Sequence, residues 1–291
     1  MKCVVVTFVV FIIASSLSIR SFFVNGPRTF MFRARAQLTG TLNIVSTPFR
    51  YTFNSSGTLQ ESGVLVRTTS PYWWLNSGAY LYLQDGVGKT VQGALPGLNK
   101  WRLLYSLSNP TDTDNGHRPQ NIFRLVTLGK WENVRQEAYF RIKKTNLSSS
   151  PNRNASNGLL LFHRYQDGNN LYYTGLRVDG SVVVKKKKDG IYYTLGYKKL
   201  YSGLYDPASN PNLLPQDTWI GIRSEVKNNA DGTVMIKIFT DDGRAGTWTT
   251  VLETVDNGRT YGGAAIVREG HGGIRTDFMD IELDDYAVQN L

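Results

Sequence analysis

Apolar and polar residues alternate along this chain in short runs, and each run ends in Gly, Asn, Asp or Pro. Gly78-Ala79-Tyr80-Leu81-Tyr82-Leu83, Asn121-Ile122-Phe123-Arg124-Leu125-Val126 and Ala138-Tyr139-Phe140-Arg141-Ile142 are examples. Trp219-Ile220-Gly221-Ile222-Arg223, Thr233-Val234-Met235-Ile236-Lys237-Ile238-Phe239 and Phe278-Met279-Asp280-Ile281-Glu282-Leu283 continue the pattern. Period-two alternation in runs this short predicts strands, and many short strands at regular spacing predict a sandwich or barrel. Asp-Gly punctuates them at 167–168, 179–180, 189–190, 231–232 and 242–243. That dipeptide suits a tight hairpin turn with positive φ at both central residues, so residues 158–196 read as an antiparallel meander. No repeat of fixed period is present, which argues against a propeller. Residues 144–157 and 201–216 read as loops inside one domain, because similar strands flank both. Residues 27–70 read as an N-terminal strand pair that packs on the main sheet.

The first residues change this picture. Lys2 precedes an apolar stretch from Val4 to Ala14, broken only by Thr7 and followed by small residues. The stretch is short for a bilayer span, which needs about 20 residues. It predicts a signal peptide over residues 1–24, ahead of a single domain at 25–291, with an uncleaved anchor as the alternative. The protein is then expected to be secreted or held at the cell surface, without inserting in a membrane after cleavage. Cys3 is the only cysteine, so the rest of the chain has no disulfide, no cysteine nucleophile and no thiolate metal site. Asn54, Asn146 and Asn154 each begin a glycosylation-type triplet, a hint of surface loops.

With 291 residues, 41% hydrophobic and 19% charged, the chain can build a large core and does not read as disordered. The net charge is +10, or about +8 without Lys2 and Arg20. A basic exported protein meets acidic polysaccharide, anionic lipid or cell-wall polymer. Zinc-finger spacing, a basic helix and an RNA-recognition motif are all missing, so nucleic acid is not an expected partner.

Tyr139-Phe140-Arg141-Ile142, Gly158 to Tyr165, Asn170-Leu171-Tyr172-Tyr173 with Arg177-Val178-Asp179-Gly180, Trp219-Ile220-Gly221-Ile222 and Asp277 to Glu282 carry a resemblance. Together they resemble the concanavalin A-like lectin/glucanase superfamily, with its LamG-like and polysaccharide-lyase-like members, over roughly residues 70–288. The resemblance implies an all-β jelly-roll sandwich of two curved antiparallel sheets, one of them concave. It implies lectin-like binding, glycoside hydrolysis or polysaccharide lysis as the activities to weigh.

Alternation sorts the meander into faces. Leu160 and Phe162, with Tyr172, Leu176 and Val178, suit the core. His163, Tyr165, Tyr173 and Arg177 then share an exposed sheet, with Arg141 nearby, although Leu159 and Leu161 fall on that polar side too. Tyr rings stack on sugars and Arg binds carboxylates, so this face predicts an acidic polysaccharide as partner of a monomeric binding protein. The same residues supply a β-eliminating lyase: Arg141 or Arg177 for the carboxylate, His163 as base and Tyr173 as acid. The resemblance implies the same residue types for the superfamily's lyases. An adhesion module for proteins is the third reading.

His117 and Gln120, in a polar loop, are candidates for one end of a groove. Of Trp73 and Trp74, adjacent on a strand, one faces the core and the other, taken as Trp74, offers a sugar platform. Lys185 leads a run of four lysines that splits between faces and adds attraction for a polyanion. Asp280, Glu282 and Asp284 share one strand face, but their order and late position count against glycoside hydrolysis. No cofactor is required. The resemblance implies a possible structural Ca²⁺ at Asp280 or Asp277.

Overall fold

The computed structural model describes residues 47–291. The segment read as a signal peptide lies outside the described residues.

Sixteen strands follow in chain order: β1 (Phe49–Tyr51), β2 (Gly57–Gln60), β3 (Trp73–Ser77), β4 (Tyr80–Gln84), β5 (Val87–Thr90), β6 (Ile122–Trp131), β7 (Val134–Thr145) and β8 (Gly158–Asp167). Then come β9 (Asn170–Arg177), β10 (Ser181–Lys188), β11 (Ile191–Lys199), β12 (Trp219–Asn228), β13 (Val234–Asp242), β14 (Thr249–Asp256), β15 (Gly270–Asp277) and β16 (Met279–Asn290). One sheet has seven strands in the order β11-β10-β9-β8-β15-β6-β3. The other has nine, in the order β14-β13-β12-β7-β16-β5-β4-β2, with β1 added beside β16. All the strand pairs in both sheets are antiparallel. This is the jelly-roll sandwich expected of the chain. The predicted N-terminal strand pair does not form among the described residues, since β1 pairs with β16 and β2 with β4. The strand pattern also hid one short helix, α1 (Lys100–Ser108).

The core lies between the sheets. Phe140, Ile142, Ile220, Ile222, Ile281 and Leu283 face it from the nine-stranded sheet, and Leu159, Leu161, Tyr172, Leu176 and Ile274 from the other. Alternation therefore holds in most strands, as half-buried sheets require. Strand β8 is the exception to the expected facing. Leu159, Leu161 and His163 turn inward, while Leu160 and Phe162 turn out into a separate apolar cluster with Val126, Tyr173 and Val183. After His163 the register shifts, and Arg164 takes φ +50°. That bulge returns Tyr165 to the outer cluster beside Phe162, their ring centroids 5.4 Å apart.

Asp189-Gly190 fits the hairpin expectation, with φ of +49° and +85° joining β10 to β11. At Asp179-Gly180 only the glycine has positive φ, and at Asp167-Gly168 neither residue does. The run read as a loop at 144–157 is one only after Thr145, where β7 ends, and Asn146 within it is buried. A glycan could not be attached there without unfolding the loop.

Candidate binding site

A cavity of about 360 Å³ opens on the outer face of the seven-stranded sheet. Its floor comes from four adjacent strands: Arg275 on β15, Leu160 on β8, Tyr173 on β9 and Val183 on β10. Arg275 pairs in register with Leu160, Leu160 with Gly175, and Gly175 with Val183. Gly175 adds no side chain to that row, which leaves the floor low at its middle. A Cβ there would sit 2.2 Å from the Leu159 carbonyl oxygen, so the position admits only glycine. Lys185 and Tyr192 rise from β10 and β11. Loops supply the remaining wall, with Asp112, Asn152, Asn154 and Asn157 among its residues.

Arg275 organises the cavity. Its Nε donates to Asp277 Oδ1 at 2.8 Å, and its NH1 donates to the hydroxyls of Tyr173 and Tyr192 at 3.2 and 3.3 Å. The two Tyr rings stack, with centroids 6.1 Å apart and 30° between planes. The ammonium groups of Lys185 and Lys187 lie 5.8 and 4.9 Å from the Tyr192 ring centre. Burial raises the Tyr173 hydroxyl pKa against the opposing charge of Arg275. Tyr192 goes the other way. Burial works to raise it, but the charge and hydrogen bond of Arg275, with Lys187, bring it below the ordinary tyrosine value. Lys185 is lowered too, first by burial and then by the nearby charges of Arg177 and Arg275. Asp112 falls below the usual carboxylate value, because hydrogen bonds from Ser150, Asn152 and Asn109 outweigh its burial.

Of the residues singled out from sequence, the cavity brings together Tyr173, Lys185 and Asp277. Arg177 lies on the same strand as Tyr173, but it is tied down by Asp179 at 3.0 Å, the Ala155 carbonyl at 2.9 Å and the Tyr197 ring. Tyr165 and Trp74 belong to the outer apolar cluster beside the cavity rather than to its lining. Trp73 is the core member of the tryptophan pair, and the Trp74 indole N–H is spent on the Ser62 carbonyl at 2.8 Å.

Four expectations are corrected. His163 sits in the core at 1% exposure, where an external polymer cannot reach it. Its Nε2 meets Ser224 Oγ at 2.5 Å, and burial drives its pKa down to about 3, with Arg164 adding to the shift. Arg141 is on the other sheet, pairing with Glu282 through a 2.6 Å bond and lying over the Trp219 ring at 4.6 Å. It therefore cannot act with Tyr173. His117 and Gln120 line no part of this cavity. His117 is held by Arg102 and the Asp114 carbonyl, both at 2.6 Å, and Gln120 is fully buried and donates to Asp280 and the Gly93 carbonyl.

The calcium expectation fits poorly as well. Asp280 accepts from the Gly93 N–H, Gln120 Nε2 and Asn146 Nδ2 at 2.7 to 2.8 Å. A carboxylate ringed by donors is built for N–H groups, not for a cation, and Asp277 is already paired with Arg275. Among the described residues no group of three or more His, Cys, Asp or Glu could hold a metal. On the same strand Glu282 pairs with Arg141 and Asp284 with Arg244, so the three carboxylates do not form an acid/base set.

Sequence reasoning missed Arg275, Tyr192, Asp112 and the asparagines of the 152–157 loop. Tyr192 was within its reach, because it pairs with Lys187 across the Asp189-Gly190 turn. Arg275 had no such local signal.

No protein-family model matches the chain, and no curated protein sequence matches it. Solved structures with similar backbones include the carbohydrate-binding module CBM66 from Bacillus subtilis, at 12% identity and TM-score 0.47, over 75% of this chain and 95% of the module. The GH43 BlXynB protein from Bacillus licheniformis matches at 12% identity and TM-score 0.44, over 83% of this chain. The match takes in 39% of that protein's length. The alginate lyase Aly36B matches at 11% identity and TM-score 0.41, over 85% of this chain and 98% of the lyase.

Proposed function

We propose that this chain is an exported, monomeric protein that binds an acidic polysaccharide in the Arg275 cavity. The observation that carries the reading is the grouping of Lys185 and Arg275 with the rings of Tyr173 and Tyr192 around one cavity. Arg275 brings the Tyr192 hydroxyl below its ordinary pKa, whereas Lys185 is lowered first by burial and then by the charges of Arg177 and Arg275. The lining also holds Asp112, and Asp277 paired with Arg275, so an incoming carboxylate or sulfate needs a cation that is not already paired. Lys185 is the cation placed to meet it, since the Arg275 Nε is committed to Asp277. Tyr173 and Tyr192 offer ring surface for a sugar, and the loop asparagines offer hydrogen bonds to hydroxyls. The volume, about 360 Å³, is within the ordinary range for small-ligand sites. The apolar leader supports export.

Affinity electrophoresis against uronic-acid, sulfated and neutral polysaccharides tests the reading. Retention by acidic polymers alone, weakened by Lys185→Gln and by salt, is expected. Equal retention by neutral polymers, or none by any, would refute it.

The lowered Tyr192 pKa favours a second reading, a polysaccharide lyase without His163. The Tyr192 phenolate would take the proton beside the uronate carboxylate. The electron pair would form a C=C bond as the glycosidic C–O bond breaks, and Tyr173 would give its proton to the leaving oxygen. Lys185 would hold the carboxylate. A rise in ultraviolet absorbance from the conjugated product, lost in Tyr192→Phe, distinguishes this from binding alone.

A further inference from the structure

Helix α1 is inserted between β5 and β6 and wears its leucines on the wrong side. Its inward face is Trp101 and Tyr105; the Tyr105 hydroxyl donates to Glu61 at 2.6 Å and accepts the Gly78 N–H at 3.1 Å. The Asn99 side chain caps its start by accepting the Trp101 N–H at 2.9 Å. At about 100° per residue, Lys100, Leu103, Leu104 and Leu107 fall on one stripe, centred about 130° round the helix from that face. Leu103, Leu104 and Leu107 are 54%, 51% and 85% exposed, and Leu98, just before the cap, is 97% exposed. An amphipathic helix of an isolated domain turns such a stripe inward. Here aromatic residues already fill the inward side, and the aliphatic stripe is left to solvent.

The charge around the stripe is one-sided. From Gly86 to Thr111 the chain has no Asp or Glu, and Lys100 stands exposed on the stripe, while Arg102 turns away to His117 and the Leu95 carbonyl and Lys89 is paired with Asp85. Val64 and Val66, 46% and 79% exposed, follow Glu61, the residue that holds Tyr105. Their neighbour Arg67 is exposed, and the stretch from Ser62 to Gln84 also has no carboxylate.

We propose that α1, with the turn at Leu98, docks the protein on an anionic lipid surface. Exposed leucines with Lys100 among them, on a helix that itself has no carboxylate, match the interfacial helices that lie on a bilayer without crossing it. A second copy fits less well. A two-fold contact through this stripe would bring Lys100 towards its own copy, with no carboxylate nearby to offset the repulsion. The proposal is independent of the cavity, because none of these leucines lines it.

The test uses the full chain with vesicles of phosphatidylcholine, alone or with a quarter phosphatidylglycerol. Sedimentation measures binding, and hydrogen exchange reports where it occurs. We expect binding to the anionic vesicles that weakens with salt, with new protection confined to peptides covering residues 95–108. Leu103→Glu/Leu107→Glu should abolish that protection and lower the binding attributable to this face by about tenfold or more. Both sites are exposed, and an unchanged melting temperature would verify that the variant folds. Lys100→Gln, a second variant, should flatten the salt dependence. Vesicle binding without protection at 95–108 would overturn the proposal, as would protection that survives the double substitution. Concentration-dependent dimerisation abolished by the double substitution would assign the stripe to a second copy instead.

Discussion

Acidification should destabilise this fold through His163. Its imidazole is wholly buried between the sheets, against Ser224, with Gln136 also in reach. The folded-state pKa is pushed to about 3, against 6.5 for the ordinary group. Between those values the unfolded chain holds one more proton than the folded one, so stability falls as the pH drops through that window. Above the unfolded value, both states are neutral and the group contributes no pH dependence. The slope is about 1.4 kcal/mol per pH unit, so two units below 6.5 should cost about 2.7 kcal/mol. For a domain of this size that is about 5–10 °C in melting temperature. The assay is thermal unfolding by circular dichroism across pH for the protein and for His163→Gln, which keeps a hydrogen-bonding side chain but cannot take the proton. Carboxylates titrate in both proteins and cancel in the difference. The variant should start lower and lose less on acidification. Parallel curves would show that His163 protonates freely in the folded state, and the buried assignment would be wrong.

Lys186 and Asp256 form an ion pair 2.8 Å long with both side chains fully buried. Lys186 also donates to the Gly263 and Ala264 carbonyls, and the Tyr172 hydroxyl donates to Asp256. Asp256→Asn should cost about 3–5 kcal/mol, because it strands a buried ammonium, whereas Lys186→Met/Asp256→Leu should cost clearly less than the two single changes together. Additive losses in denaturant melts would contradict this. Arg141→Ala should leave glycan retention unchanged and cost at most about 1 kcal/mol from its ion pair, which is partly exposed, plus its contact with Trp219. A loss of retention would return that sheet to consideration as the binding face.

The strands and their order of appearance were legible because one face of each strand is usually polar. Strand β8 was misread because Leu159, Leu160, Leu161 and Phe162 give no alternation. The core takes Leu159 and Leu161, and the outer cluster takes Leu160 and Phe162. His163 then looked like an exposed polar residue, although it belongs to a buried polar seam with Ser224 and Thr174. The bulge at Arg164 is pinned by the Glu132 and Ile266 carbonyls, partners more than thirty residues away that no local pattern reveals. His117 and Gln120 were legible as polar loop residues. His117 braces its own loop against Arg102 of α1, and Gln120 holds the Gly93 backbone and Asp280, partners that only the tertiary fold supplies. On β9, Tyr173 and Tyr172 do fall on opposite faces as adjacent strand residues must, although both faces of that strand are buried. Arg275 was invisible for a topological reason, since β15 enters the sheet between β8 and β6 from a distant part of the chain.

That same insertion sets an order of assembly. Strands β15 and β16 run from Gly270 to Asn290, and both are interior: β15 lies between β8 and β6, and β16 between β7 and β5. During synthesis neither sheet can close until these two have emerged. Until then β6 and β8 each present an unpaired edge, as do β5 and β7. Folding should therefore be a late, collective event governed by contacts distant in sequence, and slow for that reason. Strands β15 and β16 therefore act as the keystones of both sheets rather than as additions to a finished core.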